Sequence, residues 1–260
     1  MLYGDLRWID VELMEKDDKV VVCPLASLEQ HGHHLPLLTD TYLATAVAQR
    51  VHEANPESVL LLPTMWLGAS DHHLDFPGTI SISNEDYANM IRSLVASLVS
   101  AGFWKILFLN GHGGNVAPGE VAITQMADDS QECNEAYIVL ASYWTIAAES
   151  LADPKHGMSQ PSLSHACEYE TSMMLHVQKH LVSMESAVGY GPSIPPVPQG
   201  VRVAGRFNMK SETGALGSPE LATAEKGESL LGAIVADASA LVNQMLDWPL
   251  RDVLGPVDPA

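Results

Sequence analysis

Short runs dominated by apolar residues recur along the first half of the chain, at 20–23, 59–62, 105–109 (opened by Lys105) and 137–141. Between them lie longer stretches, 39–53, 87–101 and 117–128, whose apolar residues return every three or four positions. A compact apolar run bounded by polar residues predicts a buried strand, and an apolar stripe with that longer period predicts an amphipathic helix. Strands alternating with such helices predict βαβ units and a largely parallel sheet, an α/β fold.

The clearest helical stripe carries Tyr87, Met90, Ile91, Leu94, Val95 and Leu98. Asn84 is its expected N-cap, Glu85 and Asp86 suit the positive end of the helix dipole, and Gly102 ends it. Beyond 141 the pattern loosens into a long connection to about 163, followed by a helical stretch within 167–181 and a final helix over roughly 221–246. Residues 189–200, "GYGPSIPPVPQG", are too rich in Pro and Gly for regular structure and read as a surface excursion. No internal repeat or domain boundary stands out, so residues 1–260 are expected to form one domain.

Composition narrows the function. A hydrophobic share of 47 % over 260 residues is enough to bury a sizeable core. The formal charge of -19 repels phosphate backbones and anionic lipid, so neither nucleic acid nor a membrane is expected as a partner. Cys23, Cys133 and Cys167 form no CxxC pair, which fits a reducing cytoplasm rather than a disulfide framework. The N-terminus lacks a signal-peptide pattern, and no run of about 18 apolar residues occurs.

Candidate chemistry gathers in three segments. "EQHGHHLPLLTD" follows the first strand, "NGHGGN" follows the third, and "SHACEYETS" comes after the fourth. Loops at the carboxyl ends of parallel strands converge on one crevice, so all three can face the same cleft. They offer Glu29, His31, Asp40, His112 and a Glu at 168 or 170, an oxygen and imidazole set suited to zinc, manganese or iron. Extended backbone would send Glu29 and His31 to one side. The three glycines around His112 let the backbone come close to a ligand. His52, His156, His176 and His180 carry no functional expectation, the pair His72–His73 is ambiguous, and Cys167 reads as a packing residue.

"LASLEQHGHHLPLLTD", "FPGT", "LNGHGGN", "HACEYETS" and "TAEKGE" together resemble the creatininase family, over about residues 6–228. The resemblance implies a three-layer α/β/α sandwich with a mostly parallel sheet, assembled as a homo-oligomer, a hexamer. It also implies two divalent cations per chain, zinc foremost, with manganese or iron as alternatives. Glu29 and His112 would hold one, His31 the other, and Asp40 would bridge them.

Members that hydrolyse creatinine carry a glutamate ligand of the second cation where this chain has Gly114. Glu168 is the expected replacement, serving as ligand and proton relay; Glu170 is its rival, with a structural or outer-sphere role as the first expectation for it. His165 matches the family's proton shuttle, although Ser164 replaces the Glu that precedes that His in the creatinine enzymes. Trp144 would line the substrate site, and the backbone of Gly113 and Gly114 would face a developing oxyanion. The implied activity is hydrolysis of a non-peptide carbon–nitrogen bond in a small cyclic amide or formamide. Members with the glycine-rich pattern include a deformylase and a peptide-trimming protease. The alternatives are ring opening of a lactone or cyclic diketone, and a non-catalytic, metal-stabilised binding oligomer.

Overall fold

The computed structural model describes residues 1–129, 136–191 and 203–249. Four strands, β1 (Val20–Leu25), β2 (Val59–Leu61), β3 (Lys105–Asn110) and β4 (Tyr137–Ser142), form one parallel sheet in the order β2-β1-β3-β4. Pairing runs Val21↔Leu60 on one side of β1 and Val21↔Ile106 on the other.

The helices are α1 (Trp8–Leu13), α2 (Thr39–Ala54), α3 (Asn84–Ser100), α4 (Val116–Asp129), α5 (Tyr143–Ile146), α6 (Ala148–Leu151), α7 (Glu168–Val177) and α8 (Ala224–Leu246). The short α5 and α6 lie in the stretch where the sequence pattern had loosened. Ser83, rather than Asn84, caps α3, because its hydroxyl accepts from the Asp86 N–H. Gly102, at φ +86°, turns the chain out of that helix. The Pro- and Gly-rich excursion falls largely outside the described residues, as does Cys133.

Side chains alternate across the sheet and so build two cores. Val20, Val22, Leu107 and Leu109 pack with α2, α7 and α8 on one face. Val21, Cys23, Leu25, Ile106 and Phe108 pack with α3 and α4 on the other. That is the three-layer α/β/α arrangement. Each fully buried aliphatic side chain contributes about 1.5–3 kcal/mol relative to exposure. α8 is long and apolar enough to span a bilayer by composition alone, but it buries Leu230, Leu231, Ile234, Ala238, Val242 and Met245 against the core.

The strand order fixes where a ligand can go. From β1 the chain passes through α2 to β2 on one side; from β2 it crosses by α3 to β3 on the other. The loops leaving β1 and β3 therefore diverge, and the crevice at their carboxyl ends is the topological switch point.

Candidate active site

The loop after β1 runs along that crevice and is pinned at both ends. The Glu29 N–H donates to Leu37 O at 3.0 Å, and Thr41 Oγ1 donates to Ser27 O at 2.9 Å. Glu29 and His31 both point into the crevice, as an extended segment requires. Asp40 lies in the first turn of α2, where the helix dipole favours a carboxylate.

Two asparagines join the walls. Asn110 Oδ1 accepts from the His112 N–H, and Asn110 Nδ2 donates to His112 O and Ser142 Oγ. Asn115 Nδ2 donates to Ala26 O at 3.0 Å, while its Oδ1 accepts from the Ala69 N–H. The loops after β1, β2 and β3 are thereby fastened together around His112.

Asp40 stands between two imidazoles. Its Oδ1 lies 3.0 Å from His31 Nε2, and its Oδ2 lies 2.9 Å from His112 Nδ1 and accepts from Ser27 Oγ at 2.7 Å. The far nitrogen of each ring is already engaged: His31 Nδ1 donates to Glu29 O at 3.1 Å, and His112 Nε2 donates to Ala69 O at 3.2 Å. His31 Nε2 and His112 Nδ1 are thus the ring nitrogens aimed at carboxylate oxygens. Imidazole nitrogens facing carboxylates call for a positive charge between them, either shared protons or a cation that displaces them. Glu29 Oε1 lies 3.3 Å from His112 Nδ1, and Glu29 Oε2 is buried with no hydrogen-bond partner among the described residues. An orphaned buried carboxylate oxygen among imidazoles fits a cation, and this oxygen and imidazole donor set suits a divalent metal.

The third wall comes from the turn into α7. Ala166 adopts φ +50°, a left-handed conformation that costs a non-glycine residue about 1–2 kcal/mol. It reverses the chain directly after His165, and its N–H donates to Glu170 Oε2. Ligand atoms of His31, Asp40 and Glu170 lie within 4.8 Å of one another.

Glu168, expected here as ligand and proton relay, is instead placed away from this cluster. Its Oε1 pairs with Lys226 Nζ, and its Oε2 accepts from the Ser159 N–H at 2.8 Å and from the Ser159 hydroxyl. Lys226, in the first turn of α8, neutralises it, so Glu168 ties α7 to α8 and the preceding loop. Of this pair, Glu170, its rival, is the carboxylate that reaches the cluster.

His165 Nε2 donates to Gln30 O at 2.9 Å, leaving Nδ1 to face Glu29 Oε1 at 3.6 Å. Phe207 meets that ring edge-on at 4.6 Å. Gln30 Nε2 donates to His73 Nδ1 and Gly214 O, so His73 presents its Nε2 towards Glu29 Oε1. Phe207 carried no signal in the sequence, and Gln30 within its motif and the ambiguous His73 gave no role, because those roles depend on contacts far along the chain. Trp144, Gly113 and Gly114 line a cavity of about 240 Å³ together with His72, His165 and Glu170. A second cavity of about 260 Å³ shares Trp144 and Leu163 with it.

Charge is strongly redistributed here. Burial opposes a proton on His31, but Asp40 outweighs it and carries the pKa up to about 9. Burial, reinforced by Asp40, pushes Glu170 up to about 8. Burial also opposes ionisation of Glu29 and Asp40, yet His112 and His31 respectively hold them well below the usual range. Burial, with His31 beside it, lowers His165 to about 3, so that ring rests neutral. Cys167 is pushed by burial up to about 12 and is an inert packing residue.

Over residues 4–242 the chain matches the family described as creatinine amidohydrolase. It is 34% identical over 240 residues to the mycofactocin precursor peptide peptidase of Mycobacterium tuberculosis (strain CDC 1551 / Oshkosh), covering 88% of this chain and 86% of that one. It is 27% identical over 245 residues to the creatinine amidohydrolase of Pseudomonas putida, covering 89% and 92%. Among solved structures, one described as "Creatininase Mn" superposes with a TM-score of 0.76 at 25% identity, covering 95% of this chain and 99% of the other.

Proposed function

The chain belongs to the creatininase family, and from that premise we propose that it is a two-cation amidohydrolase. The observation that carries this reading is Asp40, whose two oxygens each meet a different imidazole while Glu29 Oε2 stays unpartnered beside them. Glu29, Asp40 and His112 would hold one divalent cation, and His31, Asp40 and Glu170 the other. Zinc, manganese and iron(II) all suit this donor set. When bound, the pair supplies an acidified water and a Lewis acid for the substrate carbonyl.

The side chains divide the remaining work. His165 Nδ1 faces the cavity on a neutral ring, placed to take a proton from the attacking water and pass it to the departing nitrogen. That transfer matters because an amine anion is a very poor leaving group. Gln30 O holds the other nitrogen of His165, which fixes the ring's orientation. Trp144 and Phe207 wall the cavity and would exclude bulk water, and the backbone N–H groups of Gly113 and Gly114 are candidate oxyanion donors.

The substrate class we favour is a small cyclic amide or formamide, matched to the size of the cavity. One observation favours a second reading, cleavage of a peptide: the neighbouring apolar cavity that shares Trp144 and Leu163 would seat a side chain next to the scissile bond. The 34% identity to a peptide peptidase points the same way. A protein loaded with zinc or manganese and offered cyclic amides, formamides, lactones and short peptides should hydrolyse one amide class, and a chelator should abolish turnover. Turnover that survives complete removal of metal would overturn the proposal; lactone turnover alone would move it to ring opening.

The strongly exposed Trp8 and Leu13 of α1 support self-association, and light scattering would test whether the assembly is the hexamer that the family resemblance implies. The free thiols of Cys23 and Cys167 support a reducing, cytoplasmic setting.

A further inference from the structure

We propose that His72 is an additional protein ligand of the cation held by Glu29 and His112, entering through space that the glycine at 114 leaves open. The inference rests on the two-cation reading above. Ligand atoms of Glu29, His72 and His112 lie within 4.8 Å of one another, so one ion can touch all three after small side-chain shifts.

The space at position 114 admits only one occupant. A Cβ built on Gly114 would lie 2.1 Å from Ala69 O, 2.5 Å from His112 Nε2 and 2.9 Å from His72 Cε1. A side chain there is excluded first by the Ala69 carbonyl and the His112 ring, and also by the His72 ring as placed. The loop after β2 fills the volume that the loop after β3 leaves empty.

The bonding state of His72 separates it from its neighbours. His31, His73, His112 and His165 each have one ring nitrogen anchored by a hydrogen bond. Among the described residues no such bond holds His72, although its ring lines the cavity and stacks on His112 at 5.9 Å with 18° between planes. Its backbone is nevertheless fixed, because it lies in the short 3-10 turn Asp71–His73, and the His73 N–H donates to Ser70 O at 2.9 Å. A half-buried imidazole on a fixed turn, with both nitrogens uncommitted beside a carboxylate, is poised to ligate.

The two ions would then be held unequally. The first would have two imidazoles and two carboxylates, Glu29, Asp40, His72 and His112; the second would have one imidazole and two carboxylates, His31, Asp40 and Glu170. The nitrogen-richer site should select zinc over manganese more strongly than its partner.

The test uses the full chain, stripped by a chelator and reloaded with zinc or cobalt(II). Stoichiometry is read by elemental mass spectrometry, affinity by competition with a chromophoric chelator, and coordination by the cobalt absorption spectrum. Wild type should take two ions. His72→Ala should keep one at wild-type affinity and bind the other at least about 100-fold more weakly, the upper end of what loss of an outer-sphere partner costs. His72→Glu, which restores a donor atom, should recover most of that loss and alter the cobalt spectrum. Equal melting temperatures of metal-free wild type and His72→Ala would show that the fold is intact, and His72→Glu decides the matter if they differ. Two ions bound by His72→Ala at wild-type affinity, with an unchanged cobalt spectrum, would overturn the role of His72. Fewer than two ions in the wild type would instead overturn the two-cation reading beneath it.

Discussion

The segment that leaves β1 and enters α2 and the turn that opens α7 each carry two acidic side chains into the protein interior, yet they use them differently. Glu29 and Asp40 both reach the cluster of imidazoles. Of Glu168 and Glu170 only the second does; the first is held by Lys226 and Ser159. The difference is one of backbone period. In the extended segment 29–31, residues two apart share a side, so Glu29 and His31 arrive together. On a helix, two residues turn through about 200°, so Glu168 and Glu170 leave on opposite faces. A helix beginning at 168 therefore cannot deliver both carboxylates to one ion, and a lysine waits on the face turned away.

The largest effect that would probe this contrast is expected from Asp40→Asn. One side chain meets both imidazoles, so metal content should fall below one ion per chain and kcat/KM by at least about 10⁴-fold, the scale for removing a member of a catalytic unit. Two retained ions would break the bridging assignment.

Next comes the pair on α7. Glu170→Gln should lose the second ion and lower kcat by about 100-fold or more with little change in the melting temperature of the metal-free protein. Glu168→Gln should keep both ions but lose about 1–3 kcal/mol of stability in denaturant unfolding, since a buried partner of Lys226 and Ser159 becomes neutral. The reverse pattern would restore Glu168 as the ligand.

A pH series sharpens the same comparison. Glu170, raised from 4.5 to about 8, and His31, raised from 6.5 to about 9, both bind protons more tightly in the native state than in the unfolded chain. Their stabilisation is complete below the unfolded values and is lost as pH rises through the folded ones. The chelated protein should therefore melt progressively lower between pH 6 and 9. The metal-loaded protein should lose much less, because cations replace those protons. Parallel curves would show that neither group contacts metal.

The smallest effect is expected at the hinge of the α7 turn. Ala166→Gly relieves a left-handed residue, so the protein should gain up to about 1 kcal/mol in the same unfolding measurement without change in metal content.

Much of this was legible in the residues because the signals are local. Apolar-dominated runs at 20–23 and 105–109 located β1 and β3, although the strands extend to Leu25 and Asn110, beyond those runs. The rule that loops converge at strand carboxyl ends then placed Glu29, His31, Asp40 and His112 in one crevice, where the structure brings them together. The family resemblance supplied the two-cation expectation and His165. It also led to Glu168, because motif alignment carries no information about which side of a helix a residue faces.

What the sequence alone determined was the set of elements and the inventory of donors, since periodicity and motif order are properties of neighbouring residues. Only the tertiary structure decided which donors meet. Lys226, 58 positions along the chain, captures Glu168; Ala69 O and the His72 ring fill the space around Gly114; and the carbonyls of Glu29, Ala69 and Gln30 orient the rings of His31, His112 and His165. Those choices are made by long-range packing and hydrogen bonding, whose strength depends on burial and distance that no local pattern encodes.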